Sequence, residues 1–321
     1  MIFSKHLFIL TAAAALFAAA NAAPQQGNSA SKTGANYRQS NARRQTTITN
    51  PYAITAKKIK EDPAATAEFK KLQAQYWKMV KAKEFDAIHS AIDDFLEKNK
   101  KLTPDQKSMV YYCKANTYLL AKDYESAIKT GQQGVRIGGL GAGRNAATVI
   151  KAAMAEKNTK LIDKTIADFE KSKNFPDADY YSAVVNHCFN QKRPDDAFNY
   201  LKAFGKQPLL SAGNRAQILK GFGRYYMMKK RFKEAIAQYN AVKDIPKIDP
   251  YTSGDAELQM AACYLQMNNK EKALEIYQSL TKSKHAGVRA SAQREIKKLT
   301  AKPAPAKKAP AKKKAAAKKK N

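Results

Sequence analysis

KRFKEAI (Lys230–Ile236) returns in altered form three more times along this chain, as KDYESAI (Lys122–Ile128), KRPDDAF (Lys192–Phe198) and NKEKAL (Asn269–Leu274). Aligned on their small residue, the anchors are Ala127, Ala197, Ala235 and Ala273. Nine residues before them stand Tyr118, Cys188, Tyr226 and Tyr264, twelve before stand Ala115, Val185, Gly223 and Ala261, and Tyr239 and Tyr277 follow the last two by four. The interval from Ala127 to Ala197 is 70 residues, so a divergent unit belongs midway, where Ile162 has Ala153 and Ile150 at the same offsets. Upstream, Ile88 with Phe85, Met79 and Leu72 makes a sixth, weaker unit. The anchors are then 39, 35, 35, 38 and 38 residues apart. Periods of this size mark stacked units, none of which can bury its apolar face alone.

Between Glu61 and Thr300 apolar residues recur every three or four positions and β signals are sparse, so the repeating unit is helical. Start signals agree: Pro63 after Asp62, and Thr103-Pro104-Asp105-Gln106, which predicts a capping box with proline at the first helical position. Pro176 and Pro246 fall where helices should end.

These units resemble the tetratricopeptide repeat family, whose usual period is about 34. The resemblance implies an all-α, right-handed solenoid of six helical hairpins, closed by a capping helix over Val288–Leu299. In that family a small residue on each of two antiparallel helices lets them approach, and an aromatic fills the gap beside the crossing. Ile88 and Ile162 depart from the small anchor. An irregular helical bundle is the alternative arrangement.

Composition divides the chain into four parts. The 58 Lys and Arg residues against 27 Asp and Glu give a formal charge of +31, and three cysteines exclude a disulfide-stapled mini-protein. Residues 1–22 place Lys5 ahead of the apolar run Leu7–Ala20 and the small triplet Ala20-Asn21-Ala22, which reads as a secretory signal peptide and implies export to the periplasm, the cell envelope or the exterior. Residues 23–62 are polar and almost free of acids, the profile of a disordered linker, and 63–300 form the array. From 301 to 321 the chain is a Lys/Ala/Pro tail, again predicted disordered. Between 61 and 301, 41 basic residues stand against 27 acidic ones, leaving the array at +14.

No chemistry of an enzyme is legible. Gly134–Ala147 (GVRIGGLGAGRNAA) imitates a nucleotide loop, but Arg144 and Asn145 occupy the Lys and Ser/Thr places and a helix precedes it, so Gly138 or Gly139 reads as a helix-ending left-handed turn. His89, His187 and His285 lack metal-ligand spacing and read as surface or partly buried. Cys113, Cys188 and Cys263, each on a first helix and two repeats apart, are too distant to bridge and should be reduced, buried thiols. Neither cofactor nor small-molecule substrate is implied.

The resemblance implies a protein or peptide partner in the concave face. In the family that face is built from first helices, at positions roughly 18, 15, 11, 8 and 7 before the anchor. Those offsets select Tyr112, Asn116, Arg144, Lys151, Asn186, Lys220 and Arg224. The carboxylate-clamp subset of the family uses Asn and Lys or Arg there, whereas Ala147 and Ser182 stand where a clamp lysine could be. The expected partner is an acidic or carboxylate-ended segment, bound by a scaffold or adaptor of the envelope. The alternative function is polyanion binding through Lys307, Lys308, Lys312, Lys313, Lys314, Lys318, Lys319 and Lys320, to anionic lipid, surface polysaccharide or extracellular DNA, with the repeats as spacer or dimeriser.

Overall fold

The computed structural model describes residues 63–207 and 210–301, all within one compact unit, Tyr52–Asn321. The signal-peptide, linker and lysine-tail readings, with the eight tail lysines, fall on residues 1–62 and 302–321 and lie outside the described residues.

Thirteen helices make up the described residues: α1 (Pro63–Ala82), α2 (Phe85–Lys98), α3 (Pro104–Ala121), α4 (Tyr124–Ile137), α5 (Ala142–Ala155), α6 (Thr159–Lys171), α7 (Ala178–Asn190), α8 (Pro194–Gly205), α9 (Ala212–Met228), α10 (Phe232–Lys243), α11 (Pro250–Gln266), α12 (Lys270–Leu280) and α13 (Ala286–Thr300). They pair in sequence as six hairpins, α1–α2 to α11–α12, and α13 closes the last one. The fold is thus the all-α array of helical hairpins that the resemblance implies. Pro176 and Pro246 lie between helices, and Thr103 forms its capping box with Gln106 through both expected hydrogen bonds.

One turn, made six times, generates the period. Between the two helices of each hairpin a residue adopts the left-handed conformation, with φ between 55° and 65°: Lys83, Lys122, Lys157, Lys192, Lys230 and Asn268. Its N–H donates to the carbonyl three residues back at 2.9–3.2 Å, and the next N–H donates five residues back at 2.8–3.0 Å, as Asp123 does to Tyr118 and Arg231 to Tyr226. This Schellman pattern satisfies carbonyls that a helix end leaves without partners. Each turn residue precedes an anchor by five. The two units with isoleucine anchors therefore share the register of the other four.

All six anchors are at most 1% exposed. Around them the apolar faces of neighbouring hairpins merge: Leu72, Tyr76, Ile88, Ile92, Phe95, Val110 and Cys113 join the first hairpin to α3, and Tyr277, Leu280, Val288 and Ala292 join α12 to α13. The turn after α4 falls on the two predicted glycines, both with positive φ, Gly138 at 80° and Gly139 at 73°, but the helix-ending Gly138 has ψ −156° and so takes an extended glycine conformation instead of the left-handed helical one.

All three cysteines are free and buried, and burial raises their thiols, Cys113 to about 12 and Cys188 and Cys263 to about 11. His187 departs from the surface reading. It is 1% exposed, with Nε2 3.2 Å from Asp163 Oδ1, because its position on α7 points into the hairpin stack toward α6. His285 is exposed, while His89 is half-buried against the Tyr118 ring, 3.9 Å between centroids.

Candidate functional site

The face built by the first helices of the hairpins is the candidate site. Residues eleven before the first five anchors are Trp77, Asn116, Lys151, Asn186 and Arg224 on α1, α3, α5, α7 and α9, and all five are at least partly exposed, while Ala262 of α11 takes the sixth place. Each of these helices packs on the next first helix in the series. Two contacts join like offsets on neighbouring first helices, Arg224 Nη1 to Asn186 Oδ1 at 3.4 Å eleven before their anchors and Arg144 Nε to Asp179 Oδ2 at 3.4 Å eighteen before theirs, while Arg224 Nη2 also reaches Asn190 Oδ1 at 3.5 Å and Arg144 lies over the Tyr112 ring at 5.5 Å. Parallel helices in register give such a pattern, so the five residues form a row across one surface.

The predicted residues occupy this surface in different states. Asn116 is half-buried and donates to the Tyr76 hydroxyl at 2.8 Å. Burial raises the Tyr112 hydroxyl well above its ordinary value. Arg144 lies 3.5 Å from Asp177 and 3.4 Å from Asp179. Lys220 forms an ion pair with Asp255 of α11, so its charge is already matched, and it is not a free clamp cation. Arg224 stacks over Phe189 at 4.4 Å, and desolvation lowers its pKa. Lys151 is exposed and has no ion pair among the described residues. Ala147, at a clamp-lysine position, is 1% exposed and faces the packed interior, so no side chain there could reach a ligand without rearrangement.

Trp77 escaped the sequence reading. It is 56% exposed, and its ring meets Tyr76 edge to face with 5.0 Å between centroids. The signal was available, because the eleven-residue offset applied to the Ile88 unit selects it. Leu120 and Met228, seven before their anchors and 47% and 40% exposed, add apolar surface at the turn end of the same face. The neutralising Asp255 likewise sits at the eighteen-residue offset in the sixth unit.

Among the described residues no group of three or more His, Cys, Asp or Glu side chains could hold a metal ion, and no helix is long and apolar enough to cross a membrane.

No family model and no curated protein matches the chain. Solved structures of similar fold are tetratricopeptide proteins among others. YrrB, described as a TPR protein with an unusual peptide-binding site, is 16% identical, with 64% of this chain and 98% of that one covered and a TM-score of 0.42. PilF of Pseudomonas aeruginosa is 16% identical over 61% and 93% of the two chains, with a TM-score of 0.46. The quorum sensor NprR of B. thuringiensis is 11% identical over 73% and 71%, with a TM-score of 0.47. The chain is an all-α array of stacked helical hairpins, a description that rests on its own turns, buried anchors and helix order.

Proposed function

We propose that this protein is a non-catalytic scaffold that binds an extended, acidic peptide segment across the row Trp77, Asn116, Lys151, Asn186 and Arg224. The carrying observation is the row itself: a free cation at Lys151 and a desolvated one at Arg224, with an exposed aromatic at one end and amides between. Amides at Asn116 and Asn186 suit the peptide backbone. Lys151 and Arg224 suit acidic side chains or a terminal carboxylate, through charge-assisted hydrogen bonds. With residues 1–22 read as a signal peptide, the place of action is the cell envelope and the partner an envelope protein.

Trp77 is the chain's single tryptophan, so the row carries its own reporter. Ten-residue peptides of graded acidity, titrated against the full chain, should shift Trp77 emission to the blue for the acidic members. Lys151→Ala with Arg224→Ala should weaken those peptides about ten- to a hundredfold, with little change in melting temperature. Equal affinity for the double variant, or emission unmoved by peptides that bind, would overturn this reading.

A further inference from the structure

The turn residues carry a second surface. Because the first helices run parallel and in register, the six turns that end them lie along one edge of the array, about 8–10 Å apart wherever neighbouring helices pack side by side. Five of the six hairpin-turn positions are lysine, Lys83, Lys122, Lys157, Lys192 and Lys230, and one further left-handed lysine, Lys247, lies between α10 and α11 outside these turns. All five are exposed and none has an ion pair among the described residues.

Lysine is a poor choice for this backbone. Glycine or asparagine adopts the left-handed region with less strain. Nor does the helix dipole favour it, because each lysine sits between the C-terminus of one helix and the N-terminus of the next, where the two partial charges oppose one another. The fold therefore gives no reason for the same cation five times at one edge.

A second observation comes from apolar residues. Three of the six large apolar side chains that stand exposed on the described residues lie one or two positions before these turns: Leu120 (47%) before Lys122, Met228 (40%) before Lys230, and Met267 (37%) before Asn268. A soluble polyanion would be served by the cations alone. Lysines interleaved with protruding Leu and Met side chains are the combination that suits a bilayer surface, where ammonium groups meet anionic headgroups and apolar side chains enter the boundary beneath them.

We infer that the edge formed by the six hairpin turns docks on the surface of a membrane rich in anionic lipid, with the five turn lysines as headgroup contacts and Leu120, Met228 and Met267 as shallow apolar insertions. The five turn lysines are distinct from the first-helix row and from the lysine tail, and Leu120 and Met228 stand where this edge meets the turn end of the first-helix face. It would hold the array edge-on, with the first-helix face upright and open to a partner.

The test uses the full chain and phosphatidylcholine vesicles, pure or containing roughly one-third phosphatidylglycerol. Lys83→Gly, Lys122→Gly, Lys157→Gly, Lys192→Gly and Lys230→Gly are combined in one variant, since glycine relieves the turn and folding is not at risk. Partition onto the anionic vesicles should fall at least about tenfold, with no loss of melting temperature. Leu120→Ser, Met228→Ser and Met267→Ser together should lower vesicle partition severalfold while leaving retention on a soluble polyanion, heparin, unchanged. Unchanged vesicle partition in the glycine variant would overturn the proposal. A serine variant that binds vesicles as the parent does, or that loses heparin in proportion, would overturn the membrane assignment and leave a polyanion contact in its place.

Discussion

The first and third hairpins both carry isoleucine where the other four carry alanine, yet they are packed in opposite ways. In α5 ten of fourteen residues are buried, six of them alanine or glycine. In α1 only Ala65, Leu72 and Tyr76 of twenty are buried. The difference is made by the neighbours. Opposite α5 stands α4, whose Gly131 and Gly134 leave room for Val149 and Asn145, and the Asn145 amide donates to the carbonyls of Ser108 at 2.8 Å and Gly141 at 2.9 Å. The first hairpin has no preceding partner among the described residues, and its core is Leu72, Tyr76, Ile88, Ile92 and Phe95 against α3 alone. Small residues on both sides of the α4–α5 crossing give close approach, and at the end of the array the open face is where Trp77 stands.

The largest effect should come from closing the space opposite Asn145. Alanine in place of glycine usually favours a helix by about 1 kcal/mol, but a Cβ at Gly134 would overlap the Asn145 side chain. Gly134→Ala is expected to cost about 3 to 4 kcal/mol through overpacking and displacement of buried hydrogen bonds, read by denaturant titration.

Close packing also leaves a titration signature. Asp177, which caps α7 and lies against Gly143 of α5, is pushed up to about 6 by desolvation, against which its hydrogen bond from the Tyr180 N–H works only in part. A carboxyl whose folded value lies above its unfolded one favours folding while protonated. Its contribution is complete below about pH 4 and lost as pH rises through 6, a change of roughly 2 to 3 kcal/mol. Asp177→Asn keeps a capping oxygen, so it should abolish this part of the pH dependence and leave the protein more stable than the parent at pH 7.

The turns should respond alike in both hairpins, and more weakly. Lys83→Gly and Lys157→Gly each relieve a left-handed lysine and are expected to gain about 1 kcal/mol. Smallest of all, Trp77→Ala should change stability by less than about 0.5 kcal/mol, because a side chain more than half exposed contributes little to the fold.

Much of this architecture could be read before any coordinates. The anchor spacing fixed six hairpins, Thr103–Gln106 predicted a capping box, and Gly138-Gly139 marked a turn, because these depend on local chemistry or on period. What stayed hidden depends on neighbours distant in sequence. Nothing in the word KRFKEAI says that its lysine has positive φ; the hydrogen bonds closing the hairpin impose that. Lys220 looked like a free cation because Asp255 lies 35 residues away and meets it only when α9 and α11 pack together. His187 looked peripheral because its burial depends on how the hairpins stack. Trp77 could have been found, since the register that selects Asn116 and Arg224 selects it too.

The hairpins are unequal neighbours, and hydrogen exchange read repeat by repeat reports that inequality. Stability in such an array is nearly a sum of units and their interfaces, so amides should open locally. Those of α1 and α2 should exchange first, and those of α4 and α5 last. Gly134→Ala should accelerate exchange in α4 and α5 well before it is felt in α11–α13. Equal protection along all six hairpins, falling uniformly in the variant, would mean that the hairpins are packed alike.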